Sequence, residues 1–68
     1  MDKYKILLPR NISIQLLAAR LASNISKSKL AKQLNISIEI IEQIELHQYI
    51  YDKELVERIV NILNIRLV

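Results

Sequence analysis

Glycine does not occur in this chain, so no turn can use the residue that enters the left-handed backbone region at no steric cost. Asn, Ser, His or Asp must make every reversal. Cysteine is absent too, which excludes a disulfide staple and a thiolate metal site. Trp and Phe are missing and only three tyrosines are present, so a core must come from branched aliphatics. The 51% hydrophobic content, dominated by Ile and Leu, supplies one. No apolar run approaches the roughly 20 residues of a membrane span, and Ile6-Leu7-Leu8 is too short for a signal-peptide core. These absences predict an intracellular protein with no membrane association.

At 68 residues the chain reads as one domain. Such a domain buries only about 60% of its extended-chain surface, so its stability must rest on dense aliphatic packing. Net charge is +3, unevenly spread. Lys3, Lys5, Arg10, Arg20, Lys27, Lys29 and Lys32 in the first half face Asp2 alone. The second half sets Glu39, Glu42, Glu45, Asp52, Glu54 and Glu57 against Lys53, Arg58 and Arg66. A polyanion would be drawn to the first half and repelled by much of the second. The plain alternative is a set of solvated helix faces.

Residues 1–10 form an arm or short strand, in which Tyr4, Ile6 and Leu8 alternate with Lys3, Lys5 and Leu7 before Pro9 ends it. A helical domain is expected over residues 11–68. Asn11 or Ser13 can cap a first helix through about Ala22, with Ile14, Leu17, Ala18 and Leu21 at helical spacing. Ser26 caps a second helix with Leu30, Ala31 and Leu34 on one face. Asn35 suits a left-handed stop. Ser37 caps a third helix with Ile41 and Ile44 inward and Glu39 favourably placed in its first turn. Asp52 caps a fourth through about Leu63, carrying Leu55, Ile59 and Leu63 inward. The fold class is therefore all-α, a bundle of four to five helices. A short terminal β pair is expected between Lys3–Leu8 and Asn64–Val68, or across a two-fold axis between copies.

Two short helices separated by a tight turn, with a small Ala31 where they cross, follow the residue pattern of a helix-turn-helix. The chain resembles the lambda-repressor-like family of XRE, Cro/CI type over most of its length. That family's landmarks are an Arg near the end of the first helix, a Gly-Leu-Ser/Thr turn, a Leu-Ala pair, a Gly-Val-Ser turn and an Ile-x-x-Ile-Glu run. They correspond here to Arg20, Asn24-Ile25-Ser26, Leu30-Ala31, Asn35-Ile36-Ser37 and Ile41-Glu42-Gln43-Ile44-Glu45. From Ile44 to Leu67 the chain is most similar to the multiprotein bridging factor domain.

The resemblance implies a structural salt bridge between Arg20 and Glu45, joining the first and third helices. It implies double-stranded DNA as partner. Lys27, Ser28 and Lys32 would clamp phosphate near the N-terminal end of the second helix, unless they form a solubilising face. On the third helix, Ser37, Ile38, Glu39, Glu42 and Gln43 are expected outward. Gln43 could pair with adenine, Glu39 could accept from cytosine, and Ile38 could touch a thymine methyl. Gln48 joins the DNA-contact candidates. Lambdoid repressors similarly carry an Ile-Glu-Gln-x-Glu run, followed by Gly and a basic loop. Here Leu46-His47-Gln48-Tyr49-Ile50-Tyr51 follows, without Lys or Arg.

Two readings result. One is a DNA-binding transcriptional regulator, in which a homodimer is an option. The other is a bridging-factor-like adaptor that contacts transcription machinery or the ribosome, with the third helix and the Leu46–Tyr51 loop meeting a protein partner. His47 is the lone histidine and is expected at a helix end, where the family uses Gly. No metal ligand set, cofactor cradle or catalytic arrangement is visible, and no enzyme activity or cofactor is expected.

Overall fold

In the computed structural model, residues 6–68 are described, and they form four helices. These are α1 (Arg10–Ala22), α2 (Lys27–Leu34), α3 (Ile38–Glu45) and α4 (Lys53–Leu63). The all-α expectation holds, with four helices. The part of the arm pattern carried by Lys3, Tyr4 and Lys5 lies outside the described residues.

Each helix stops in the same way. Asn24, Asn35, His47 and Asn64 take positive φ of 57°, 59°, 60° and 55°. In each case the next residue's N–H donates back five residues: Ile25 to Arg20, Ile36 to Ala31, Gln48 to Gln43 and Ile65 to Val60. This is the Schellman closure, built without glycine, because Asn is the side chain best tolerated in that region. Ile25, Ile36 and Ile65 then fold back onto the core.

The starts are less uniform. Ser26 accepts from Lys29 N–H at 3.1 Å and Asp52 accepts from Leu55 N–H at 3.2 Å, as N-caps do. Ser37 stands at the N-cap of α3, but its hydroxyl makes no capping bond, contrary to expectation. α1 begins earlier than Asn11 or Ser13 would place it. Pro9 precedes it, and the Pro9 carbonyl receives the N–H groups of Ile12 and Ser13 at 3.0 Å each.

The core joins Leu8 of the arm to Leu16, Leu30, Ala31, Leu34, Ile41, Ile44, Leu55, Val56, Ile59 and Leu63. α3 packs on α2 and α1, and α4 packs on α1. The inward residues of α2 and α3 are those expected, and α4 adds Val56 to the expected Leu55, Ile59 and Leu63. α1 is rotated from the expected orientation: it buries Ser13, Leu16 and Arg20, while Ile14 and Leu21 are 57% and 61% exposed. The cause is Arg20. Once its side chain turns inward, the residues three to four and seven positions earlier must follow it, and the Ile14–Leu21 stripe is left outside.

The terminal pairing is also corrected. Leu7 bridges Ile50 antiparallel, with Leu8 N–H donating to Tyr49 O at 2.9 Å and Tyr51 N–H to Ile6 O at 2.7 Å. The described part of the arm thus pairs with the α3–α4 connection, and among the described residues no bridge joins it to residues 64–68. The tail is held separately by the Gln15 amide, which donates to Val68 O at 2.9 Å and accepts from Val68 N–H at 2.8 Å. No described helix is long and apolar enough to cross a membrane.

Candidate nucleic-acid interface

The orientation of α3 is set by one side chain of α1. Arg20 donates through Nε to Glu45 Oε2 at 2.6 Å and through Nη2 to Glu45 Oε1 at 3.2 Å. Its Nη1 donates to the Ile25 carbonyl at 2.8 Å. The two side chains are only 8% and 9% exposed. A bidentate, nearly dry pair restricts α3 to one rotation and one height against α1, and it also ties down the turn leading into α2. The expected bridge is therefore present. A second device acts on the other end of α2, where Arg58 Nη2 of α4 donates to the Leu34 carbonyl at 2.6 Å. Sequence reasoning left Arg58 without a role, since a contact 24 residues away has no local signal.

With α2 and α3 so fixed, the outward residues separate into free and committed groups. Lys27 is committed: its Nζ lies 3.5 Å from Glu42 Oε2, with both side chains nearly half exposed. One outward carboxylate of α3 thus screens the first lysine of α2. Lys32 sits in the last turn of α2, not near its positive end as expected. Lys29 shares the first turn with Lys27, and it is exposed and without an ion pair among the described residues. It was overlooked in the sequence reading because it carries no family landmark. Ser28 is exposed, with its hydroxyl 3.2 Å from that of Ser26. Lys32 lies three residues after Lys29 and four after Ser28, so it neighbours both on the surface of α2.

On α3, Glu39 and Gln43 are exposed and four residues apart, which places them on one face, with the unbonded hydroxyl of Ser37 at its start. Ile38 is not among them. It is half-buried against the core, so only part of its side chain is left for the expected contact with a thymine methyl. Gln48 is exposed beyond the helix end. It stands at the turn position where the other three helices place an isoleucine on the core, so this turn alone leaves a polar side chain in solvent. Gln43 and Gln48 line a groove of about 580 Å³ with Tyr49, Ile50, Tyr51, Asp52 and Lys53. The groove supplies what the Leu46–Tyr51 loop lacks, a cation at its edge: Lys53 is highly exposed and reaches Glu57 only at 4.0 Å.

Of the loop residues expected outside, Leu46 and Tyr51 are 66% and 45% exposed, whereas Tyr49 packs against the core. His47 takes the left-handed position expected of it, and its Nδ1 is buried without a hydrogen-bond partner. Among the described residues no three His, Asp or Glu side chains gather as a metal ligand set.

No protein-family model matches the chain, and no curated protein matches it.

Proposed function

We propose that the chain is a DNA-binding transcriptional regulator of the XRE, Cro/CI helix-turn-helix type, with double-stranded DNA as its partner. The observation that carries this reading is the arrangement of α2 and α3. A three-residue turn with a left-handed Asn35 joins them, the Arg20–Glu45 pair holds α3, and the exposed residues are Glu39, Gln43 and Gln48 on or just beyond α3 and Ser28, Lys29 and Lys32 on α2. A helix 8 residues long, amidic and acidic on its free face, is of a size to enter a major groove about 12 Å wide. Gln43 is suited to the paired donor and acceptor of adenine, and Glu39 to the amino group of cytosine. Lys29 and Lys32 supply the sequence-independent phosphate attraction, and Lys53 extends it past the groove. This role places the protein with nucleic acid, in the cytoplasm or in a nucleus.

A specific observation favours a second reading, a bridging-factor-like adaptor. Glu42 already neutralises Lys27, and Leu46 and Tyr51 stand exposed where a DNA-reading surface would hold cations. Salt-titrated binding to genomic fragments, with a random duplex as control, separates the two. A regulator binds some fragments at least about 10³-fold tighter than the random duplex at physiological salt. An adaptor binds all duplexes alike, with an affinity that collapses as salt rises.

A further inference from the structure

The arm, the start of α1, the α3–α4 connection, α4 and the tail converge on one open groove of about 480 Å³, lined by Ile6, Pro9, Ile12, Tyr51, Val56 and Leu67. Apart from the tyrosine hydroxyl, every lining side chain is apolar. Val56 is buried, whereas Ile6 and Tyr51 are exposed, so the groove has a packed floor and open walls. Those walls are held by bonds already described, Tyr51 N–H to Ile6 O for the arm and the Gln15 amide to Val68 for the tail. The groove is therefore preformed, as small-molecule sites generally are.

A second groove of about 510 Å³ continues from it, since Tyr51, Val56 and Leu67 line both. Beside Val60 and Ile65 this stretch adds Lys53, Glu57, Asn61 and Arg66. Glu57 is the one carboxylate there, and Lys53 Nζ stands 4.0 Å from it. Arg66 is exposed and has no ion pair among the described residues. One end of the trough is thus apolar, and the other holds an uncommitted guanidinium.

We propose that this trough is a binding site for a small carboxylate with an apolar tail, such as a fatty acid of about eight carbons, a size suited to sites of roughly 300–1,000 Å³. The tail lies between Ile6, Ile12 and Leu67, and the carboxylate meets Arg66, whose planar fork matches it. Charge selects an anion: a cationic head would face Arg66 and Lys53, and a neutral one would leave the guanidinium without its partner. The site uses no residue of α2 or α3, so it stands whether or not the chain binds DNA. Tyr51 and Lys53 also line the groove that holds Gln43 and Gln48, so an occupant would lie next to the candidate interface.

Titration of the full, isotope-labelled chain with octanoate in the absence of DNA tests it, read by amide shifts and by the thermal midpoint. Binding should saturate with a Kd on the order of 1 mM, the strength expected of about ten heavy atoms in an open groove. Shifts should centre on Ile12, Val56 and Leu67. Hexanoate should bind roughly tenfold more weakly, because each buried CH₂ carries about a fourfold change in affinity. Arg66→Gln should weaken octanoate about two- to fivefold at low salt and leave octanol unchanged. Ile6→Asp should weaken both about fivefold or more, by setting a carboxylate against the tail. Both residues are exposed, so an unchanged thermal midpoint without ligand shows that each variant is folded. Leu46 is exposed and lines neither groove, so Leu46→Asp should bind as the native chain does. Shifts still linear at about 10 mM, the result if another part of the chain fills the groove, would overturn the proposal. So would equal affinity for hexanoate and octanoate, or octanoate binding indifferent to Arg66→Gln.

Discussion

Replacing Arg20 by alanine removes three hydrogen bonds, two to Glu45 and one to the Ile25 carbonyl, and leaves the Glu45 carboxylate enclosed without a cation. With both side chains less than a tenth exposed, the cost follows the buried-pair figure of about 3–5 kcal/mol, not the exposed-pair figure of about 1 kcal/mol or less. A 68-residue domain has about 3–10 kcal/mol of stability in all, so Arg20→Ala should leave the chain marginal at room temperature. The pair's own share is isolated by Arg20→Ala, Glu45→Ala and the double variant, followed by helical circular dichroism in urea. Coupling of about 2 kcal/mol or more is expected between the two sites. Arg20→Met with Glu45→Leu should recover much of the loss, because apolar groups of similar volume avoid the desolvation of both charges. Coupling below about 0.5 kcal/mol would refute the reasoning, since distant independent sites add to within that margin.

Ser13→Ala should be neutral or stabilising, by up to about 1–3 kcal/mol, since its buried hydroxyl has no hydrogen-bond partner; a clear loss in urea stability would contradict this. Asn35→Ala should cost about 1–2 kcal/mol through its left-handed backbone, and Asn35→Gly should cost much less; equal losses would mean that the side chain, not the backbone, decides the turn. If the chain binds DNA, Lys29→Ala and Lys32→Ala should each lower the salt slope by about 0.9, and Lys27→Ala by less, because Glu42 already screens it. Equal slopes for all three would show that the Lys27–Glu42 pair opens on binding.

Much of this fold is legible in the residues alone because the capping signals are local. Ser26 and Asp52 announce helix starts through side-chain bonds three residues long, and Asn35 and His47 mark stops through backbone preference. The Arg20–Glu45 pair was accessible only through family resemblance, since 25 residues separate the partners. The orientation of α1 was not legible from periodicity, because this helix has two apolar stripes and spacing alone cannot rank them. Its answer lay in the salt bridge: an inward Arg20 is incompatible with an inward Ile14–Leu21 stripe. The arm's partner was misjudged because residues 49–51 and 64–68 are equally suited to extended pairing, and only the packed position of the α3–α4 connection chooses between them. In the candidate site, Glu39, Gln43 and Gln48 are outward as expected. The pairing of Lys27 with Glu42 and the placement of Lys53 beside Gln43 depend on how the helices cross.

The central claim is that α3 reads bases through Gln43. Its most direct measurement is site selection from a randomised duplex pool, followed by titration of the selected site and a random duplex with the native chain and with Gln43→Ala at one salt concentration. The account predicts that Gln43→Ala loses about 1–3 kcal/mol on the selected site, becomes indifferent to one base pair within it, and binds the random duplex unchanged. Failure to select any site, or equal losses on both duplexes, would contradict it.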